Sequence, residues 1–561
     1  MKELKESSLD CTDNGNGQGP LSRKQVTIVM AGIMLEVFIG SMNQMIVATA
    51  MPRIITDLGG FSQYTWIVTI YMITSAAMMP LAGKLSDMYG RKWLYIIGIA
   101  IFITASLLCG MSRTMIQLIA FRGLQGVGFG VMMTLGMVIL GDVFSPEERG
   151  KYMGFVTGVF GISAVIGPTL GGYLTDYLSW HYCFFINVPF GVVVIILFIL
   201  IFPELHHGTV RHRIDYFGAG AMMLAMITLM LALIWGGRRY DWFSMRISGM
   251  LGFSALMFAL FLRSESLSKE PIIPLWVFKN RIFTVSSISV FISGIAFFSG
   301  VTFIPLFLQG VLGTSATLSG NLLTPMMLGW VLGSISSGQL LSRAGGHYRI
   351  QAGIGFAVVA IGLFLLSRMT VETTYLTTVC NMVLVGVGNG IIMPLHLIAV
   401  QNAVPYSILG TATATLNLVR SFGGIFGLAI LGSVMDNIFY SEFSGNQPPS
   451  INAAIRNEEF LAIAKNPQAL VNPEAQSQLR NLFESLGDQG EALFEQVLSA
   501  LRGALNTALA HVFLISFGAI VLAFIINFFL EEIPLRSSVR DEQSANVPET
   551  LGRKPLRRTQ D

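Results

Sequence analysis

The chain has 561 residues, of which 53% are hydrophobic and only 12% charged, and its mean hydropathy is +0.65. A soluble chain would carry about twice that charge fraction, so the composition excludes a soluble multidomain enzyme and indicates a polytopic membrane protein. The net charge of +3 gives no reason to expect a nucleic-acid partner. Cys11, Cys109, Cys183 and Cys380 have neither disulfide nor metal spacing, so no metal and no cofactor is expected.

Met1 to Lys24 is polar and lacks a cleavable signal pattern; it reads as a tail. Fourteen apolar runs long enough to cross a bilayer follow. They cover roughly 25–50, 64–83, 93–111, 114–141, 152–175, 182–202, 216–236, 247–262, 282–309, 318–341, 350–369, 375–401, 409–435 and 509–530. An even count puts both termini on one side. Arg91, Lys92, Arg149, Lys151, Arg211, Arg213, Lys269, Lys279, Arg281, Arg343 and Arg349 fall in connections on that side, against Arg53, Arg113, Arg238, Arg239 and Arg246 opposite. The richer side is expected to be the cytoplasm, which makes the host membrane a plasma membrane.

An internal repeat divides the spans. Gly126-Val-Gly128-Phe-Gly130 in span four recurs as Gly386-Val-Gly388-Asn-Gly390 in span twelve, and Gly83, Asp87 and Gly90 before span three answer to Gly338, Ser342 and Gly345 before span eleven. The offsets are about 255 to 260 residues, so two six-span units are separated by two extra spans. The expected organisation is a tail (1–24), an N-terminal six-helix bundle (25–202), a linker with two inserted helices (203–281), a C-terminal six-helix bundle (282–531) and a second tail (532–561). Within the second bundle, 436–508 forms a long acidic external loop. Asn472-Pro473 reads there as a helix cap, and Leu493, Val497, Leu501 and Leu505 as the apolar stripe of an amphipathic helix over the outer mouth or leaflet. The loop is either a tolerated insertion or a contact for an accessory export partner.

Between spans two and three lies GKLSDMYGRKWL, Gly83 to Leu94. Gly83 and Gly90 permit close approach and unusual backbone angles, Asp87 can accept from free N–H groups at a helix start, and Arg91 and Lys92 carry the charge of a cytoplasmic turn. This G-x-L-x-D-x-x-G-R-K string resembles the signature loop of the major facilitator superfamily. Arg122 in LIAFRGLQG resembles that superfamily's second signature, whose arginine is implied to assist proton transfer; packing against backbone carbonyls is the other reading. In span five, Gly167, Pro168, Gly171 and Gly172 make a kink and a packing surface that resembles the antiporter signature of exporters. One glycine of the fuller pattern is Ser163, a small change expected to matter little. WHYCFFINVPFG (Trp180 to Gly191), RIDYFGA (Arg213 to Ala219), SATLSG (Ser315 to Gly320) and NLVRSFGG (Asn417 to Gly424) resemble stretches of the fourteen-span drug:proton antiporters. His181 stands where that family has arginine, at an interface where histidine can titrate.

The resemblance implies two six-helix bundles plus two inserted helices, all α-helical, moving protons in and substrate out. One departure stands out. Met42 to Pro52 aligns with a family pattern whose aspartate, implied to carry protons or engage cationic drugs, is Asn43 here. Asn43 cannot titrate. Glu36 is two turns earlier on the same helix face and is the only carboxylate well inside a predicted span, close to mid-bilayer. Glu36 and Arg122 are therefore the expected proton-coupling pair. Gly83, Asp87, Gly90, Arg91 and Lys92 form the expected conformational latch. Glu36, Asn43, Phe129, Phe298 and Arg420 are the expected substrate pocket. Arg420 would neutralise Glu36 or bind an anion, and His396 reads as interfacial packing. The methionine- and phenylalanine-rich spans suit an adaptable apolar site. The expected substrate is an amphipathic drug-like compound, cationic ones included; a lipid, peptide or siderophore on the same fold is the alternative. No nucleophile–base pair or phosphate loop supports an enzyme.

Overall fold

The computed structural model describes residues 23–58, 65–144, 146–202, 215–237, 240–268, 271–313, 323–343, 347–445 and 490–535, with residues 470, 480, 481 and 483 between the last two. Seven helices build the first half: α1 (Arg23–Leu58), α2 (Thr65–Tyr89), α3 (Arg91–Gly110), α4 (Met115–Val143), α5 (Pro146–Tyr177), and α6 (Tyr182–Phe185) with α7 (Asn187–Ile201) as two pieces of one crossing. Two inserted helices follow, α8 (Tyr216–Trp235) and α9 (Met245–Leu267). The second half comprises α10 (Arg281–Leu306), α11 (Thr324–Arg343), α12 (Tyr348–Ser367), α13 (Tyr375–Ala403), α14 (Leu409–Gly445) and α15 (Gly490–Asn527).

Thirteen of these segments are long and apolar enough to cross a membrane by themselves, with α6 and α7 counted as one. Helix α11 stands at the place of the remaining predicted span and does not reach that hydropathy over its described residues. Its sequence is rich in glycine and serine, with Ser334 and Ser337 buried, because it packs against α13 on one side and α5 on the other. Small residues give up hydropathy there and let backbones approach closely.

The repeat predicted from the glycines has a packing cause. Ideal Cβ atoms on Gly126 and Gly130 would collide with α2 at Tyr71 and Ser75, and one on Gly128 with α3 at Phe102. Gly386 and Gly390 lie in the same way against α11 at Met326 and Trp330, and Gly388 against α12 at Val359 and Gly355. Thus α4 is wedged between α2 and α3 as α13 is wedged between α11 and α12. The halves meet along two seams. Helix α2 packs on α14, and α5 on α11, where Gly150 and Gly338 touch backbone to backbone and Ser334 Oγ donates to Thr157 Oγ1 at 3.0 Å. The inserted α8 lies against both α2 and α14.

The long connection differs from expectation. Helix α14 runs on to Gly445 and α15 starts at Gly490, so the stripe of Val497, Leu501 and Leu505 belongs to the final crossing helix. These three side chains are buried in the same core as Phe439 and Phe443 of α14. The apolar stripe seats two extended helices on each other rather than on a membrane surface. Asn472-Pro473, SATLSG and the tails up to residue 22 and from residue 536 lie outside the described residues.

Candidate functional site

Helix α2 ends at Tyr89 because Gly90 adopts a φ of 89°, a left-handed conformation that glycine tolerates best, and α3 restarts at Arg91. The turn brings three groups together. Arg91 is buried and donates to Asp87 Oδ1 at 2.6 Å, Asp142 Oδ2 at 3.0 Å and Ser86 Oγ at 2.8 Å. Asp87 in turn reaches across the seam. Its Oδ1 accepts from the Gly410 N–H at 3.0 Å, and its Oδ2 from the Thr411 N–H at 2.8 Å and Thr411 Oγ1 at 2.9 Å. A carboxylate of the first half therefore caps the N-terminus of a helix in the second, where free N–H groups and the helix dipole favour negative charge. Gly83 makes the approach feasible: a Cβ there would meet Gly410 O at 2.7 Å and Ala414 Cβ at 2.5 Å. Lys92, expected in the latch, lies apart from it and donates to Ile199 O at the end of α7.

Arg122 is fully buried near the other end of α4. Its Nη1 donates to Asn43 Oδ1 at 2.8 Å and Gln125 Oε1 at 2.7 Å, its Nε to Ile67 O at 3.2 Å, and its guanidinium lies 4.2 Å from the Tyr71 ring centroid. Gln125 Nε2 and Asn187 Nδ2 both donate to Ser106 Oγ, which donates to Phe184 O. One arginine thereby pins α1, the start of α2, α3, α4 and α6. Asn43 is its side-chain partner on α1, where the family pattern has a carboxylate.

Glu36 is elsewhere. Its Oε2 accepts from Tyr95 Oη at 3.2 Å and its Oε1 is enclosed without a partner, inside the first half between α1, α3 and α4. The bare backbone of Gly136 leaves it space, since a Cβ there would sit 3.2 Å from Oε2. Along α4, Gly136 is about 21 Å from Arg122, so the two residues expected as a coupling pair are not brought together. Tyr95 is one turn into α3, and Gly136 is six residues, about 9 Å, along α4 from Asp142, which sets the carboxyl about that far inward from the latch. Nor is Glu36 the only buried helical carboxylate. Asp142 and Glu265 occupy the end turns of α4 and α9, where Asp142 holds Arg91 and Glu265 Oε1 accepts from the Ile272 and Ile273 N–H groups.

The kink of α5 rests on α1 beside Asn43. Gly167 opposes Met45 and Gly171 opposes Ile46 and Thr49, whereas nothing approaches Gly172 within 4 Å. Ser163, expected to change little, donates to Phe38 O on α1 at 3.3 Å, adding an interhelical hydrogen bond. Phe129 is buried between Gly40 and the stacked Tyr71 ring. Phe298 packs over Gly424 next to Phe297. Arg420 is half-buried, with its guanidinium 5.0 Å from the Phe297 centroid and 5.8 Å from that of Trp330. It does not reach Glu36, which is enclosed in the opposite half. His396 is wholly buried and packs against Phe356.

Sequence reasoning gave Arg149 only a topological role and did not single out Asp57. Arg149 is buried and donates to Phe144 O and Gly141 O, closing the end of α4 at the latch. Asp57, near the end of α1, accepts from Trp180 Nε1 at 3.0 Å, and His181 stacks on Trp180. Burial pushes the His181 ring below its ordinary pKa, with Asp57 opposing.

Residues 33–428 match the Major Facilitator Superfamily. The chain belongs to that superfamily. It is a membrane-spanning transporter and not an enzyme. It is 35% identical over 527 residues to the multidrug transporter protein MdtP of Bacillus subtilis (strain 168), with 92% of this chain and 95% of the relative covered. Against multidrug resistance protein 3 of the same organism it is 36% identical over 523 residues, covering 92% and 98%. The proton:xylose symporter XylE, solved with 6-bromo-6-deoxy-D-glucose bound, superposes with a TM-score of 0.55 at 12% identity over 93% of this chain and 99% of that one, a likeness of fold alone.

Proposed function

We propose that this transporter exports amphipathic drug-like compounds across the plasma membrane in exchange for protons, with the latch end and both termini in the cytoplasm. Two Bacillus relatives that match over nearly their whole length carry multidrug names, which supports the substrate class. The observation that carries the coupling is Glu36. A membrane-buried carboxyl with one hydrogen bond and one partnerless oxygen is expensive to keep and is functional by default. Its free Oε1 leaves a position for a proton that no protein donor contests.

Alternating access follows from the two seams. With Asp87 seated on Gly410 and Thr411, the cytoplasmic ends are shut, and substrate leaves toward the outside. Breaking the α2–α14 contact lets the halves rock about their interface and opens the inner side. The α5 kink on α1 couples that motion to the helix carrying Glu36 and Asn43. The apolar cleft of about 480 Å³ between α8, α9, α10 and α14, lined by Met226, Leu233, Phe258, Phe291 and Phe422, favours a lipid-like cargo as the second reading.

Everted membrane vesicles test the function. Dye accumulation is expected when the interior is acid and to stop when the pH gradient is collapsed. Accumulation that is indifferent to the gradient removes the proton from the mechanism.

A further inference from the structure

Inside the second half some neutral polar groups are matched, as where Ser293 Oγ donates to Asn389 Oδ1 and Ser516 Oγ to Ser299 Oγ, and others, such as both ring nitrogens of His396 and the amide of Gln351, are enclosed without a partner among the described residues; none of these carries a fixed charge. Arg420 is different. Among the described residues it makes no ion pair and no side-chain hydrogen bond, and its neighbours are the faces of Phe297 and Trp330. Arg122, the other deeply placed arginine, donates three hydrogen bonds to protein oxygens. Arg420 is half-buried, and none of its nitrogens is among the enclosed unpartnered atoms of the interior. The rings thus hold the guanidinium by its face and leave its N–H edge open.

Its position suits a substrate. Arg420 is about 17 Å along α14 from the latch end, near half-depth. Phe160 of α5 packs edge-on against Trp330 at 5.0 Å, so the aromatic platform is completed from the other half. Gly294 lets α10 approach Arg420 closely, since a Cβ there would lie 2.4 Å from the Arg420 carbonyl. A guanidinium kept at this depth without a counter-charge costs free energy that an anion would recover, and its planar fork matches a carboxylate or sulfonate.

We propose that Arg420, on the aromatic platform of Phe297, Trp330 and Phe160, binds the anionic group of an amphipathic substrate whose apolar body stacks on those rings. This deepens the export reading by naming the substrate's charge, and it replaces the cationic expectation: an organic cation here would face like charge across a medium that screens it poorly.

The test is equilibrium binding to the purified full-length chain in uncharged detergent without any pH gradient. Pyrene-1-butyrate and the matched cation 4-(1-pyrenyl)butylammonium are the probes, read by energy transfer from tryptophan. Wild type is expected to bind the anion about tenfold or more tightly than the cation, the size of one charge-assisted contact. Arg420→Gln should abolish that preference with an unchanged thermal midpoint, Arg420→Lys should retain part of it, and Trp330→Phe should reduce the transfer signal. Equal or inverted preference in the wild type overturns the proposal and needs no variant; so does a preference that survives Arg420→Gln. Because no gradient is applied, a failure of proton-coupled export leaves this result standing, and the reverse holds too.

Discussion

The Asp87 carboxylate and the Thr411 N–H meet at 2.8 Å across 324 residues of chain, and that contact ties the end of α2 to the first turn of α14. Three of Asp87's acceptor contacts go to α14 and one goes to Arg91. Replacing Asp87 by Asn keeps the shape and removes the charge from a helix start and from a buried arginine. Charge-assisted hydrogen bonds are worth about 1.5–3 kcal/mol, enough to move a two-state balance about tenfold or more. Asp87→Asn should lower transport at least that much with normal expression, and a cysteine at Ala414 should become more reactive. Thr411→Val, which removes one of the three contacts, should have a smaller effect. Full transport by Asp87→Asn reduces the turn to a topology signal.

The second seam makes a steric prediction. Gly150 and Gly338 leave no room for a side chain between α5 and α11, since a Cβ on Gly338 would collide with the Gly150 carbonyl. Gly338→Val should pry the seam apart and favour the state open at the latch end, giving faster labelling of cysteines there and slower export. An exposed site such as Gly249, with nothing within 4 Å, should tolerate the same change.

Glu36→Gln should retain substrate binding and lose gradient-driven efflux. Adding Asn43→Asp should not restore it. An aspartate at that position would sit on Arg122 Nη1, now 2.8 Å from Asn43 Oδ1, and form a fixed ion pair two turns, about 10 Å, along α1 from Glu36. Efflux that stays proton-driven in Glu36→Gln alone disposes of Glu36 as the carrier.

Topology is checked with cysteines at exposed ends. Glu372→Cys, between α12 and α13, should react with an impermeant thiol reagent in intact cells; Ser266→Cys, at the end of α9, should react only in everted vesicles. Labelling of both from one side would rule out the fourteen-crossing arrangement.

The sequence by itself determined the membrane class, the all-helical fold and the glycine repeat, because these depend on local quantities. A bilayer-length apolar run, a charged turn and glycines at fixed offsets are all legible residue by residue. The run 318–341 was read as apolar like the others, and only the packing of α11 between α5 and α13 accounts for its glycines and serines. The sequence could also say that Asp87 would seek free N–H groups. Only the tertiary structure decided that they belong to Gly410 and Thr411, that Lys92 points elsewhere, and that Glu36 and Arg122 lie at different depths of one bundle. The stripe of Val497, Leu501 and Leu505 had the period of an amphipathic helix whatever it packed on, and what covers it turned out to be the core of the second half. Periodicity reports which face a helix buries. What covers that face, and which charge stands beside which, depends on how helices hundreds of residues apart are brought together, and there the backbone contacts at Gly83, Gly150 and Gly338 set the distances.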